Sequence, residues 1–313
     1  MRCDDPKERS PDLGQEVRAS GVEALGARVD RYGAAKSRAL DVAQYIAGLP
    51  RTVEPRAVQL AGRVTGCGEY LLFRHYFTVD QVRLHQASFC MKHLLCPLCA
   101  IRRGAKAMQA YMPRFEALTA SRPSLRPFLV TLTVKDGPDL LERFRHLQRA
   151  QSALWKRRLR KNAACAFDQV EAAVWSYEVK RGQGSGQWHP HLHMVALAES
   201  APDQAALRQQ WHQITGDSFM CDVRAIDQAD AASGFLEVFK YALKFSDMTP
   251  ADTYEAFRVL AGLRLVGSAG AFRGVEIPED LQDEPLDDLP YVELLFRYLG
   301  GGYSLLKRTP SVG

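Results

Sequence analysis

Three histidines, His189, His191 and His193, occupy alternate positions in the run Trp188-His-Pro-His-Leu-His-Met-Val195. In an extended strand successive side chains point to opposite faces, so these imidazoles share one face. Imidazoles about 7 Å apart along a strand can close on one divalent cation if a neighbouring strand adds a third ligand. The plainer reading is a half-buried strand whose histidines are solvated. Three of the chain's eight histidines in phase favour a metal.

The elements around this strand supply the third donor. Residues 172–180 read as a strand joined to 189–197 by the Gly-rich turn 181–187, which makes a hairpin. Glu178 lies on that partner strand in phase with Ser176. It is either a ligand or half of a strand-end ion pair with Lys180 or Arg181. Two histidines and a carboxylate form an open site of mixed nitrogen and oxygen donors. That set suits Mg²⁺ or Mn²⁺ holding a phosphate, and also Zn²⁺ or Fe²⁺.

A second constellation precedes it. Cys67 and Cys90 are followed by Cys96-Pro97-Leu98-Cys99. A C-x2-C pair turns two thiolates toward one tetrahedral ion, and a second pair completes a closed structural zinc site. The candidate ligands are Cys67, Cys90, Cys96 and Cys99, with His93 as an alternative to one of the first two. Arg102, Arg103 and Lys106 follow on an expected helix running to Tyr111. A zinc knuckle launching a basic helix is one way to hold nucleic acid.

The bulk composition fits this picture. The chain has 313 residues, 46% hydrophobic and 25% charged, with a formal charge of +5. That is globular composition, long enough for a full core and a second module. The charge is uneven: 141–161 carry eight Lys/Arg against one Glu, and 276–290 carry seven Asp/Glu and no Lys/Arg. A local basic stripe including Lys156, Arg157 and Arg160 suggests a polyanion partner. No apolar run is long enough to cross a bilayer and no leader is apparent, so an intracellular protein is expected.

In chain order, residues 128–134 alternate as a strand and 139–161 follow helical spacing. The hairpin of 172–180 and 189–197 comes next, then a helix over 203–214. A strand over 219–226, with Phe219, Cys221, Val223 and Ala225 on one face, precedes a helix over 231–245. The order β-α-β-β-α-β predicts a split βαβ plan: an α+β fold whose antiparallel sheet packs two helices on one face. The other face collects Thr131, Thr133, Ser176, Glu178 and the three histidines. On the last helix Glu237, Tyr241 and Lys244 share a side at i, i+4 and i+7, opposite Phe235, Leu236, Phe239, Ala242 and Leu243. A phenol with a pKa near 10 is a weak nucleophile unless its phenolate is stabilised, and Lys244 could do that.

His191-Leu192-His193 is the His-hydrophobe-His motif of the HUH endonucleases. The run Glu237-x-x-Lys240-Tyr241-x-x-Lys244 resembles the tyrosine motif of their rolling-circle replication initiators, in the bacterial plasmid group with one tyrosine and a glutamate. Residues 128–134 look like that family's first motif, and the cysteine unit is similar to the segment preceding its catalytic domain. The resemblance covers about residues 65–270.

It implies that His191 and His193 hold a catalytic Mg²⁺ or Mn²⁺, to which the hairpin reading adds Glu178, with His189 also in phase. It implies that Tyr241 attacks a phosphate of single-stranded origin DNA, leaving a 3′-OH primer and a 5′-phosphotyrosine that later rejoins the strand. Glu237 would be the general base at termination, and Lys240 a DNA contact. Host helicase and polymerase would be partners, in the bacterial cytoplasm, with no membrane role. The corresponding division is an N-terminal segment 1–60, partly loose and partly helical, a zinc module 61–115, an HUH-type catalytic domain 125–250 and a C-terminal segment 251–313.

A relaxase would carry its tyrosine before the histidine motif, and a two-tyrosine transposase would show another tyrosine one turn from Tyr241. A non-haem iron oxygenase draws its histidines from well-separated positions. A non-catalytic zinc-containing DNA-binding regulator would use the cysteines and basic helix but leave the histidine strand and Tyr241 without a purpose.

Overall fold

The computed structural model describes residues 21–158, 160, 164–240, 245–286 and 289–311. The Ala-rich N-terminal stretch forms helix α1 (Leu25–Ala47), which buries Val29, Tyr32, Val42 and Ile46 and ends at Gly48. The short helix α2 (Ala57–Thr65) leads into a hairpin of β1 (Tyr70–Tyr76) and β2 (Gln81–Ala87). Helix α3 (Pro97–Ser121) starts on the Cys96-Pro97 step. Proline at the first helical position costs nothing there, because its missing N–H would have no partner.

The periodic middle of the chain follows as β3 (Arg126–Thr133), α4 (Leu140–Arg157), β4 (Val170–Arg181), β5 (Trp188–Ala198), α5 (Gln204–Thr215) and β6 (Cys221–Ala225). Asp139 and Asp203 cap α4 and α5 by accepting backbone N–H groups. Helix α5 stops at Gly216, whose φ of 74° favours glycine. Helix α6 (Ala231–Phe239), α7 (Pro250–Leu260), β7 (Val266–Gly270), β8 (Val292–Leu299) and β9 (Gly302–Pro310) complete the described elements.

The architecture is mixed α+β with two antiparallel sheets, in the orders β6-β3-β5-β4-β7 and β2-β1-β8-β9. The first contains the four expected strands plus β7. The second was not legible in advance: β8 pairs with β1, so the end of the chain returns to the hairpin before α3. The stretch 251–313 therefore divides, β7 joining the histidine sheet and β8–β9 the other.

One face of the histidine sheet packs on α4 and α5. Val130, Leu132, Leu192 and Met194 meet Phe144, Leu147, Leu154 and Trp211 in one buried cluster. Each such side chain removed from water contributes roughly 1.5–3 kcal/mol. The opposite face is covered in part by α3 and α6, through Met108, Tyr111, Phe115, Phe235 and Val238 against Val174, Val195 and Leu197.

Three boundaries depart from the sequence reading. The strand expected from residue 219 begins at Cys221, because Met220 turns its carbonyl to Thr133 and leaves Phe219 exposed. Helix α4 ends at Arg157. Helix α6 ends at Phe239 with Lys240 as its cap, so Tyr241 and Lys244, expected on the same helix, lie outside the described residues.

Candidate functional site

Strand β5 presents His189, His191, His193, Val195 and Leu197 on one face, as period-2 alternation requires. Val195 and Leu197 lie under α3 and α6, and the three histidines continue along the same face. The β4–β5 register places Glu178 opposite His191 and Ser176 opposite His193. Glu178 Oε1 lies 3.3 Å from His191 Nε2, and Glu178 Oε2 lies 3.6 Å from His193 Nε2. One donor atom from each of the three residues falls within 4.8 Å of the others.

The surroundings favour ligating forms of these groups. Burial alone would raise the Glu178 carboxyl, but the neighbouring rings of His191, which also hydrogen-bonds it, and His193 outweigh burial and hold it down to about 2. At His193 burial wins over the attraction of Glu178 and lowers the imidazole to about 4, so it is neutral near pH 7. Thr131 Oγ1 lies 3.2 Å from His193 Nδ1. With an Nδ1–H donated to that hydroxyl, Nε2 keeps its lone pair for a cation. The buried His191 Nδ1 has no hydrogen-bond partner among the described residues. Two imidazoles and one carboxylate fit a divalent cation and leave positions for water or phosphate oxygens.

His189 is not in this three-donor group. Its Nδ1 is 2.5 Å from Asp136 Oδ1, and Asp136 also accepts a hydrogen bond from Ser185. Gly182 permits this closeness: a Cβ there would stand 2.0 Å from Asp136 Oδ2. Asp136 looked in the sequence like part of an Asp-Gly-Pro turn, so its role was missed. The bond from Ser176 Oγ to the Val238 carbonyl was also missed; it ties the last turn of α6 to the sheet beside His193. Glu237 sits on that turn with Lys240 Nζ 3.5 Å away, and Lys240 is close enough to depress His193 further.

The cysteine quartet is gathered as expected. Cys67, Cys90, Cys96 and Cys99 are buried, with sulfur separations of 3.5 Å (Cys67–Cys99), 3.6 Å (Cys90–Cys99) and 3.6 Å (Cys67–Cys96). A disulfide needs about 2.05 Å, whereas a tetrahedral ion at about 2.3 Å from each sulfur sets them roughly 3.8 Å apart. Hydrogen bonds from Cys67 and Cys90, with burial, push the Cys96 and Cys99 thiols up, while the neighbouring sulfurs hold Cys90 low. All four can be thiolates together only around a cation. Lys36, buried beside the cluster, donates to the Thr65 and Cys67 carbonyls. Burial pulls its ammonium down, and the sulfurs partly restore it. His93 does not belong to the quartet.

Residues 81–293 match the protein family described as "Replication protein". The chain belongs to that family. The matched span includes Cys90, Cys96, Cys99, Glu178, the histidine strand, Glu237 and Tyr241. Curated replication-family relatives carry the name "Protein rep". That of Streptococcus pneumoniae is 26% identical over 250 residues, covering 74% of this chain and 76% of the relative. That of Lactiplantibacillus plantarum is 25% identical over 256 residues, 73% and 78% of the two chains. That of Bacillus amyloliquefaciens is 24% identical over 308 residues, 86% and 88%. No solved structure matches.

The cations singled out as DNA contacts in this replication protein separate into three settings. Arg102 is only 1% exposed: its guanidinium meets Asp283 at 2.5 Å and donates to the Leu281 carbonyl. It is an interior ion-pair residue and presents no free surface charge, which corrects its reading as a DNA contact. Arg103 is half-buried and donates to the Pro278 carbonyl. Lys156 and Arg160 are exposed, and Arg157 is half-buried on Ala164 and Gln213. Lys156 and Arg157 belong to α4, across the sheet from the histidines, so the structure does not bring them to the three-donor group. No helix among the described residues is long and apolar enough to cross a membrane.

Proposed function

We propose that this member of the replication-protein family is a plasmid rolling-circle initiator of the HUH endonuclease type, cutting and rejoining single-stranded origin DNA through Tyr241. The observation that carries the reading is the convergence of Glu178, His191 and His193 on one face of an antiparallel sheet. Family membership implies a DNA partner, which in this reading is the substrate of that group. The β-α-β-β-α-β order fits the split βαβ catalytic plan, with the cysteine quartet as a structural zinc site in a preceding module.

A divalent cation, Mg²⁺ or Mn²⁺, held by Glu178, His191 and His193 would neutralise phosphoryl charge as a Lewis acid. The Tyr241 phenolate oxygen, stabilised by Lys244, attacks the scissile phosphorus. The bond from phosphorus to the 3′ oxygen breaks, and that oxygen takes a proton to become the 3′-OH primer. The 5′ phosphate stays on Tyr241 as a diester, so the reverse attack by a 3′-OH rejoins a strand with little change in bond energy. At termination Glu237 takes a proton from water, whose oxygen displaces Tyr241 from phosphorus and frees the enzyme. Lys240 would contact the DNA phosphates. Host helicase and polymerase would extend the primer, in the bacterial cytoplasm.

The test is incubation of wild type and Tyr241→Phe with single-stranded DNA of the cognate origin and Mn²⁺, followed by denaturing electrophoresis. A covalent protein–DNA band that Tyr241→Phe abolishes is expected. An equal band from both proteins refutes the tyrosine's role. DNA retention without cleavage by either would favour a non-catalytic zinc-containing regulator.

A further inference from the structure

A cavity of about 460 Å³ that has no part in the chemistry above is lined in part by Ser176, the register partner of His193. It lies where the knuckle before Cys96, α3, the end of α6 and the end of α7 meet. Leu94, Phe239, Phe257 and Leu260 form apolar walls, two of them aromatic rings. Ser176 reaches the same cavity; it is 5% exposed and stands opposite His193 in the sheet register. Ser176 thus links the cavity to the donor group through its pairing with His193. The Ser176 hydroxyl proton is committed to the Val238 carbonyl, which leaves the oxygen's lone pairs as acceptors. Two half-buried cations, Lys92 and Arg103, also line the space, and Arg103 spends one N–H on Pro278.

An occupant must therefore offer flat apolar faces, a polar edge that donates to one buried oxygen, and a negative charge at the entrance. An unstacked nucleobase on its phosphodiester backbone has all three. The volume lies in the range of about 300–1,000 Å³ typical of pockets for small ligand groups. Base stacking on aromatic walls, with cations tracking the backbone, is how single strands are generally held. An apolar peptide or lipid tail would leave both cations and Ser176 without a function.

We propose that this cavity receives one unstacked base of the strand being cut, close to the scissile phosphate, and thereby sets sequence preference at that position. The proposal rests on the single-stranded DNA reading above, and its test separates the two. A random-sequence single-stranded DNA library is offered with Mn²⁺ to wild type and to Ala261→Trp. Ala261 lines the cavity, is exposed, and has φ −59° and ψ 127°, which tryptophan accepts without backbone strain. Strands retained on a filter and strands joined covalently are sequenced separately.

Wild type should enrich a base that can donate to the Ser176 oxygen at one position near the cut by up to about tenfold, the worth of one hydrogen bond. Ala261→Trp should flatten that position alone, with unchanged melting temperature and zinc content. Lys92→Ala should weaken retention of all strands by a similar factor while keeping the preference. An identical profile in wild type and Ala261→Trp overturns the proposal, as does a wild-type profile with no preferred position. If no strand is joined covalently but the retained pool shows a preference that Ala261→Trp removes, the nicking mechanism fails and the base pocket stands. Retention without preference, abolished by an added apolar peptide, would assign the cavity to a protein partner instead.

Discussion

Replacing Asp283 by alanine should be among the most damaging single changes outside the two ligand groups. Its carboxylate accepts from Arg28 at 3.0 Å, from Arg102 at 2.5 Å and from the Leu84 N–H at 2.7 Å, and is buried. Removing it leaves two guanidiniums in the interior without their shared anion. Breaking a buried pair from one side costs about 3–5 kcal/mol. In a chain of this size each kcal/mol moves the melting temperature by roughly 2–4 °C, so a fall on the order of 6–20 °C is expected by calorimetry. The pH dependence has a definite sign. Burial would raise the Asp283 carboxyl, but Arg102 and Arg28 hold it well below the ordinary carboxylate range. A group whose pKa is depressed on folding stabilises above its unfolded value, about 3.9, and loses that contribution as pH falls below it. The gap between wild type and Asp283→Ala should thus be full at pH 7 and narrow below about pH 4. Arg102→Ala should show a comparable loss with no change in the salt slope of DNA binding. A melting shift under 2 °C for Asp283→Ala, or a flattened salt slope for Arg102→Ala, would refute the assignment of this cluster to the interior.

Glu178→Gln should lower Mn²⁺ affinity at least about tenfold by calorimetric titration, since a neutral amide replaces the anionic ligand; unchanged affinity would remove Glu178 from the donor set. Cys96→Ser should abolish stoichiometric zinc in elemental analysis, and full retention would contradict the quartet. Gly182→Ala should part Asp136 from His189 and shift the His189 ring signals in NMR, because the added Cβ takes the carboxylate's place. Lys156→Ala, on the far side of the sheet, should leave cleavage of short single strands unaltered; a loss of tenfold or more would bring that face into the reaction.

The histidine sheet was readable because its signals are local. Alternation put the three histidines on one face, and the short turn 181–187 fixed the pairing of Glu178 with His191. The cysteines were readable because few arrangements explain four within a short stretch. What escaped depends on distant partners. Arg102 looks like a surface charge after a zinc knuckle, but its counter-ion stands 181 residues later in an acidic run that itself reads as solvated. The partner of His189 lies 53 residues upstream in an apparent turn. Nothing in the alternation of 292–299 specifies that it will pair with 70–75.

The two metal-ligand groups are connected by packing. Cys96 and Cys99 sit at the start of α3. Further along the same helix Tyr111 lies 5.2 Å from Phe239 and 5.7 Å from Phe272, and Phe115 lies 5.4 Å from Phe235, measured between ring centroids. Those phenylalanines hold α6 over the covered part of the sheet, and the Ser176–Val238 bond stops it beside His193. The chain then runs directly into Tyr241. A structural ion at the quartet would therefore fix the seating of α3, the helix against which α6 is packed. Its removal should disturb the seating of α6 before it disturbs Glu178, His191 and His193, which are held by the hydrogen bonds of β3, β4 and β5. Metal binding at the donor group should outlast strand cleavage when the cysteine site is stripped.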